Sequence, residues 1–276
     1  MDHLLRLKGL PRIHYINLEC SIQRREYMEL QFKELEIIDF KRISGIDGRD
    51  DECVRGALVG DLPVRMNFRE IACVMSHLKA MKNWLDNCDE DLLMIMEDDC
   101  DMSVVNFWGF SWKDFIRGLP FHWDVVQLSV CNPYDLTMGL HVRFVNDYST
   151  TCYIIRRSHA QKLVNAHCRG DCYKLDQNIK PRAVSDDLIY NSGFALSISI
   201  FGYKISMEST IHQSHYNMHK RSHDVRWEFW TQKATRIKDW SKFLSYDPNY
   251  GNMPPRMIAK AALNAAKKAA ASSKSP

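Results

Sequence analysis

The chain has 276 residues, 45% hydrophobic and 26% charged, which supports a normal buried core and excludes an intrinsically disordered protein. A net charge of +3 gives no case for bulk nucleic-acid binding, so no nucleic-acid partner is expected. Nine cysteines, an odd number with no apolar leader before them, point to reduced thiols. No apolar run reaches the roughly 18–20 residues of a membrane span, so a cytoplasmic protein without a transmembrane segment is expected.

"RIHYINL" (12–18) predicts a short strand. Residues 21–37 predict a helix with Ser21 as N-cap and Ile22, Tyr27, Met28, Leu30, Leu35 and Ile37 near one face. "IDFKRISGIDGRD" (38–50) reads as a strand closing in Gly and Asp turns, which completes a βαβ unit. Residues 67–88 predict an amphipathic helix capped by Asn67, with Glu70 placed for a capping box. The unbroken apolar run in "DLLMIMEDD" (91–99) fits a central strand buried on both faces. Two more strands are expected at 123–130 and 149–157, the second followed by a helix over 158–167. Residues 185–194 read as an acidic helix start, 195–206 as a strand or hairpin, and the aromatic-rich stretch 227–244 as a helix. No repeat or linker divides residues 1–250, which are expected to form a single α/β domain with a mostly parallel sheet. Residues 251–276 are an Ala/Lys/Ser-rich tail expected to be partly disordered.

The stretch "LLMIMEDDCDM" (92–102) sends an apolar strand into Glu97, Asp98, Asp99 and Asp101. Unpaired carboxylates at a protein interior would each cost several kcal/mol, so something positive is expected there. In open α/β sheets ligands bind outside the carboxyl ends of the strands. Hard oxygen ligands suit Mg²⁺ or Mn²⁺. Residues two apart in extended chain face one side, so Glu97 with Asp99, or Asp99 with Asp101, could share one ion. A solvated acidic loop capping the next helix would give the same pattern.

Other positions carry two readings each. Arg24 and Arg25 could hold phosphate or form a solvated helix face. Ser76–His77 could serve a site or be a core histidine bonded to backbone. Asp186 or Asp187 could be a general base or a helix N-cap. His212, His215 and His219 have helical spacing, but the strand pattern before them argues against a regular helix. Their default role is structural, with His215 as a candidate metal ligand. Cys168 and Cys172 lack a second pair, so no zinc knuckle is expected.

Several segments recur in a known order: "YINLECSIQRR" (15–25), "RISGIDGRD" (42–50), "REIACVMSHLKAMKNWL" (69–85), "LLMIMEDDCDM", "WDVVQLS" (123–129), "STTCYIIRRSHAQKLV" (149–164) and "AVSDDLIY" (183–190). Together, over roughly residues 12–215, they resemble glycosyltransferase family 25, which includes bacterial lipooligosaccharide galactosyltransferases and collagen galactosyltransferase domains. Cys73–Val74–Met75 before Ser76–His77 departs from the family's small residues, and the stretch after 212 does not align.

The resemblance implies a Rossmann-like nucleotide-diphospho-sugar transferase domain of the GT-A type. It implies inverting transfer of galactose or glucose from a UDP-sugar to a glycan or glycoprotein hydroxyl, with Mn²⁺ or Mg²⁺. Tyr15, Asn17 and Leu18 would border the nucleoside, and Arg24 or Arg25 the phosphates. Ser76, His77, Asp98 and Asp99 would complete the donor side. Glu97, Asp99 and Asp101, with His215, would hold the metal. Asp187 is slightly favoured over Asp186 as the base, because Ser185 or Asp186 should be spent as a cap. Two alternatives stay open: a metal-dependent phosphotransferase or nuclease, and a non-catalytic nucleotide-sugar-binding protein.

Overall fold

The first strand–helix–strand unit shows how this sequence builds its sheet. In the computed structural model, which describes residues 2–175, 183–207 and 216–246, a short helix α1 (His3–Leu7) leads into β1 (Ile13–Asn17). Then come α2 (Ile22–Glu34) and β2 (Phe40–Ser44), with β2 parallel to β1 and Asn17 opposite Ser44. Ser21 occupies the cap position of α2 without a side-chain cap bond. Ile22 and Leu30, expected on the buried face, are exposed, whereas Gln31 is buried with Met28 and Phe32. Gln31 is tolerated there because its amide is fully used: it donates to the Cys100 carbonyl (2.9 Å) and accepts from the Met102 N–H (2.8 Å). Leu30 lies two positions from Met28, about 200° around the helix, and so faces water.

Helix α3 (Asp51–Gly56) is capped by Asp50, and α4 (Phe68–Asn87) opens with the expected Asn67–Glu70 capping box, both bonds 2.9 Å long. Ile71, Val74, Met75, Leu78, Met81 and Trp84 form the buried face of α4 at three- and four-residue spacing. Strand β3 (Leu92–Glu97) explains its own apolar run. Met94 and Met96 enter the core on one side of the sheet, and Leu93 and Ile95 the core on the other.

The remaining elements are β4 (Cys100–Asp101), α5 (Trp112–Gly118), β5 (Val125–Gln127), β6 (His141–Val142), β7 (Cys152–Arg156), α6 (Arg157–His167), β8 (Cys168–Arg169), β9 (Cys172–Tyr173), α7 (Ser185–Tyr190), β10 (Ala195–Ser197), β11 (Gly202–Tyr203), α8 (Tyr216–Glu228) and α9 (Ser241–Leu244). The central sheet has seven strands in the order β2-β1-β3-β7-β5-β10-β6. Five point the same way, while β7 and β6 run antiparallel to their neighbours. The expected α/β fold with a mostly parallel sheet is therefore present. The reversal of β7 sets its entry, at Cys152, beside Met96 near the exit of β3.

Of the strand or hairpin expected over residues 195–206, the strand form is present: β10 joins the central sheet, and β11 pairs with β4 in a separate ribbon. Two other expectations differ. The helix expected over 227–244 is broken into the end of α8, a π turn at Phe229–Lys233, a 3-10 turn at Ala234–Arg236 and α9. Aromatic packing supplies the reason, since folding the chain back stacks Trp230 on Trp240 with ring centroids 5.8 Å apart. His219 lies within α8, in regular helix, while His212, His215 and the tail fall outside the described residues. All nine cysteines are free, and among the described residues no helix is long and apolar enough to cross a membrane.

Gly48 marks a close approach of the loop after β2 to α4. A Cβ there would stand 2.4 Å from Arg69 Cα, a contact that only backbone movement relieves. Gly48→Ala is therefore expected to cost about 1–3 kcal/mol in urea unfolding. Removing the α4 cap with Asn67→Ala should cost about 1 kcal/mol.

Candidate functional site

The chain turns sharply after β3, and Asp98 and Asp99 form that turn. Asp98 is buried, and both its oxygens are used. Oδ1 accepts from Arg24 Nε at 2.6 Å and Oδ2 from Asn17 Nδ2 at 2.7 Å. Arg24 also reaches Asp99 Oδ2 at 3.1 Å. Burial opposes the Arg24 charge, but Asp99 and Asp98 outweigh it and raise its pKa. Adjacent residues on a helix point about 100° apart, and it is Arg24 that pairs with both acids of this turn.

Asp99 is the least satisfied of the acids. Burial pushes its carboxyl up to about 7, against the pull of Arg24 and with the repulsion of Glu97 and Asp98. Its Oδ1 is buried without a hydrogen-bond partner. An orphaned carboxylate oxygen beside two further acids is one that a divalent cation could satisfy.

Glu97 faces a second set of groups. Its Oε1 accepts from Thr150 Oγ1 at 2.7 Å and lies 3.3 Å from His77 Nε2. Burial works against the Glu97 carboxylate, but His77, Thr150 and Arg24 hold its pKa below the usual range. His77 is oriented by Tyr153, whose hydroxyl is 3.0 Å from Nδ1. Cys73, one turn earlier on α4, lies 3.1 Å from Ser185 Oγ, and burial pushes its thiol well up. The ligand atoms of Cys73, His77 and Glu97 lie within 4.8 Å of one another, so this trio could hold a metal ion.

Helix α7 and the entry to β7 close the cluster. Asp186 Oδ1 accepts from the Ser149 N–H at 2.6 Å. Ser149 has φ 103°, an unusual backbone for a residue other than glycine. Its carbonyl is tied down by Gln127 Nε2 (2.8 Å) and Tyr190 Oη (3.0 Å). Such strain persists where the surroundings over-determine it, as at many functional sites. Burial pushes the Asp186 carboxyl up to about 6, against Arg143 and the Ser149 bond and with repulsion from Glu97 and Asp187. Asp187 is more deeply buried and accepts from Asn191 Nδ2 at 3.1 Å within its own helix.

Several expected placements change. The N-cap of α7 is Val184 with no side-chain cap bond, so neither Ser185 nor Asp186 is spent there and the reason for favouring Asp187 lapses. Asp101 is engaged elsewhere: its Oδ1 accepts from the Ser103 N–H at 2.9 Å, and it lines a cleft that Asp99 does not. The alternation that would align them fails because the turn at Asp98–Asp99 interrupts the strand. Tyr15 lies on the core side of β1, its ring against Phe32 and its hydroxyl on Glu29 Oε1 at 2.6 Å. Ser76 bonds the Ala72 carbonyl and the Ile46 N–H, fixing the loop after β2 to α4. Asn17 joins Asp98 to Arg42, and half-buried Leu18 flanks Gly45. Sequence reasoning did not single out Ser149, Thr150, Tyr153 or Arg143. The Thr pair before β7 was the available signal, but its place depends on the direction of that strand.

The family model of glycosyltransferase family 25 (LPS biosynthesis protein) matches residues 10–107, from the approach to β1 through the acidic turn. The resemblance read from the sequence therefore holds over this segment. Comparison with the curated proteins gives no match. Among solved structures, the chain is similar to the inositol-1-phosphate CTP transferase from T. maritima, at 11% identity and TM-score 0.37, covering 78% of this chain and 97% of that one. It is also similar to A197 from STIV (12%, TM-score 0.34, covering 70% and 84%). A further likeness is to HddC from Yersinia pseudotuberculosis complexed with GMP-PN (10%, TM-score 0.33, covering 71% and 93%). Likenesses this distant say nothing about activity.

The raised pKa of Asp99 has a consequence for stability in metal-free buffer. The folded state prefers the protonated acid, so the associated stability is present below the unfolded pKa, about 3.9, and is lost as pH rises through about 7. Asp99→Asn removes this loss. Its melting temperature should match wild type near pH 4 and exceed it at pH 8, by the equivalent of about 2 kcal/mol after screening. Thermal melts in EDTA at both pH values check this.

Proposed function

We propose that the protein is an inverting glycosyltransferase that moves galactose or glucose from a UDP-sugar to a hydroxyl of a glycan or glycoprotein, with Mn²⁺ or Mg²⁺. The observation that carries this reading is the acidic turn after β3, charge-matched by Arg24 and left with one buried unpaired oxygen on Asp99. The turn lies inside the segment that matches the family, whose description points to a glycosyltransferase.

The chemistry follows from the groups present. A divalent ion held by Asp99 and Glu97 would stabilise the negative charge that develops on a departing nucleoside diphosphate. Arg24 and Asn17 are positioning residues, since they fix both oxygens of Asp98 and so hold the turn. Inversion also needs a base for the acceptor hydroxyl. Asp186 is our candidate, because burial raises its carboxyl to about 6, towards the working range of a general base. The Ser149 N–H fixes one Asp186 oxygen, and the proton taken from the acceptor would end on this carboxylate.

Release of UDP from a panel of UDP-sugars, with and without Mn²⁺, tests the reading. UDP-galactose or UDP-glucose should be turned over, and EDTA or Asp99→Ala should abolish turnover. Full activity in EDTA would reject the metal, and phosphate release without sugar transfer would favour a phosphotransferase. Asp186→Asn should lower kcat by roughly 10²–10⁴-fold with UDP affinity nearly unchanged. A matching loss of UDP affinity would place Asp186 in the donor site instead.

A further inference from the structure

Beside the β4–β11 ribbon, bordered by Asp101 and Lys204, lies a second cleft of about 560 Å³. It is within the usual size of small-molecule sites, roughly 300–1,000 Å³. It is tied to the acidic turn by backbone, since the Lys204 N–H donates to the Asp99 carbonyl at 2.8 Å. The groups used by the proposed transfer chemistry do not line it.

Its wall is aromatic. Trp227 is 44% exposed, yet its ring is held in place. Phe107 meets it edge-on at 6.1 Å, and His223, one turn earlier on α8, lies parallel to it at 6.4 Å. Tyr27 also lines it, with Lys204 Nζ 5.6 Å from its ring centre. A braced, water-exposed indole is an apolar plate in a polar setting. Around it stand polar side chains suited to hydroxyl groups, among them Asp101, Glu34 and Asn106.

Charge narrows the ligand class. Two carboxylates, Glu34 and Asp101, stand against one ammonium, Lys204. This lining gives a phosphate or nucleotide no net attraction. It suits an uncharged ligand with one apolar face and a rim of hydroxyls, which is the chemistry of a pyranose ring. We infer that the cleft walled by Trp227 and Tyr27 binds a neutral saccharide. Its role as the non-reacting part of a glycan acceptor rests on the glycosyltransferase reading; the binding itself does not.

The test uses the full chain without UDP-sugar or metal, so that failure of the transferase reading leaves it unaffected. Saturation-transfer NMR and tryptophan fluorescence are recorded with lactose, maltotriose and N-acetylated chitotriose, and with uridine as a flat, uncharged control. At least one saccharide should bind. Trp227→Ala should weaken that binding at least tenfold, and Asn106→Ala should weaken it as well. Phe121→Ala, which removes a 96% exposed ring outside the cleft, should bind like wild type. Equal binding in folded Trp227→Ala would overturn the inference, and so would a Trp227→Ala that unfolds while Asn106→Ala binds normally. Binding of uridine alone, or of no saccharide, would overturn it too.

Discussion

The guanidinium of Arg24 lies between Asp98 and Asp99, and the acidic end of β3 depends on that contact. Three consecutive acids at the end of a buried strand repel one another and lose hydration. One cation bonded to two of them, with Asn17 holding the remaining oxygen of Asp98, converts the repulsion into a fixed turn. The balance is incomplete, because Glu97, Asp98 and Asp99 face this single guanidinium and Asp99 keeps a buried oxygen without a partner. That unmet oxygen is what the proposed metal–diphosphate donor site would satisfy.

The direction of β7 is the second constraint. Because it runs antiparallel to β3, its entry rather than its exit meets the acidic turn. Ser149 and Thr150 arrive there, the first holding Asp186 and the second Glu97. A β7 parallel to β3 would have delivered Arg156 instead. One reversed strand thus brings α4, β3 and α7, distant in sequence, to a common point.

Much of the fold was legible in the sequence, because its signals were local. The run Leu92–Met96 has no polar face, and the structure buries it on both sides. Asn67 and Glu70 sit three apart and form the box that their spacing predicts. The acidic cluster at the end of β3 and the need for positive charge beside it were also visible. What was not legible depended on turns and long-range pairing. Periodicity could not reveal that Asp98 and Asp99 leave the strand and send Asp101 to another cleft. Nor could it show that Gln31 would replace Leu30 on the buried face of α2, since the bonds that permit this reach Cys100 and Met102. The break after α8 follows from Trp230 meeting Trp240, an encounter that only the folded chain shows.

In the proposed function, a metal-bound nucleoside diphosphate sits at the acidic turn beside Arg24. Anomalous diffraction from crystals grown with Mn²⁺ and UDP tests it most directly. A manganese peak bonded to Asp99 and Glu97 is expected, with Arg24 still paired to Asp98. A peak on Asp101 in the second cleft, or UDP bound with no manganese at Asp99, would contradict it.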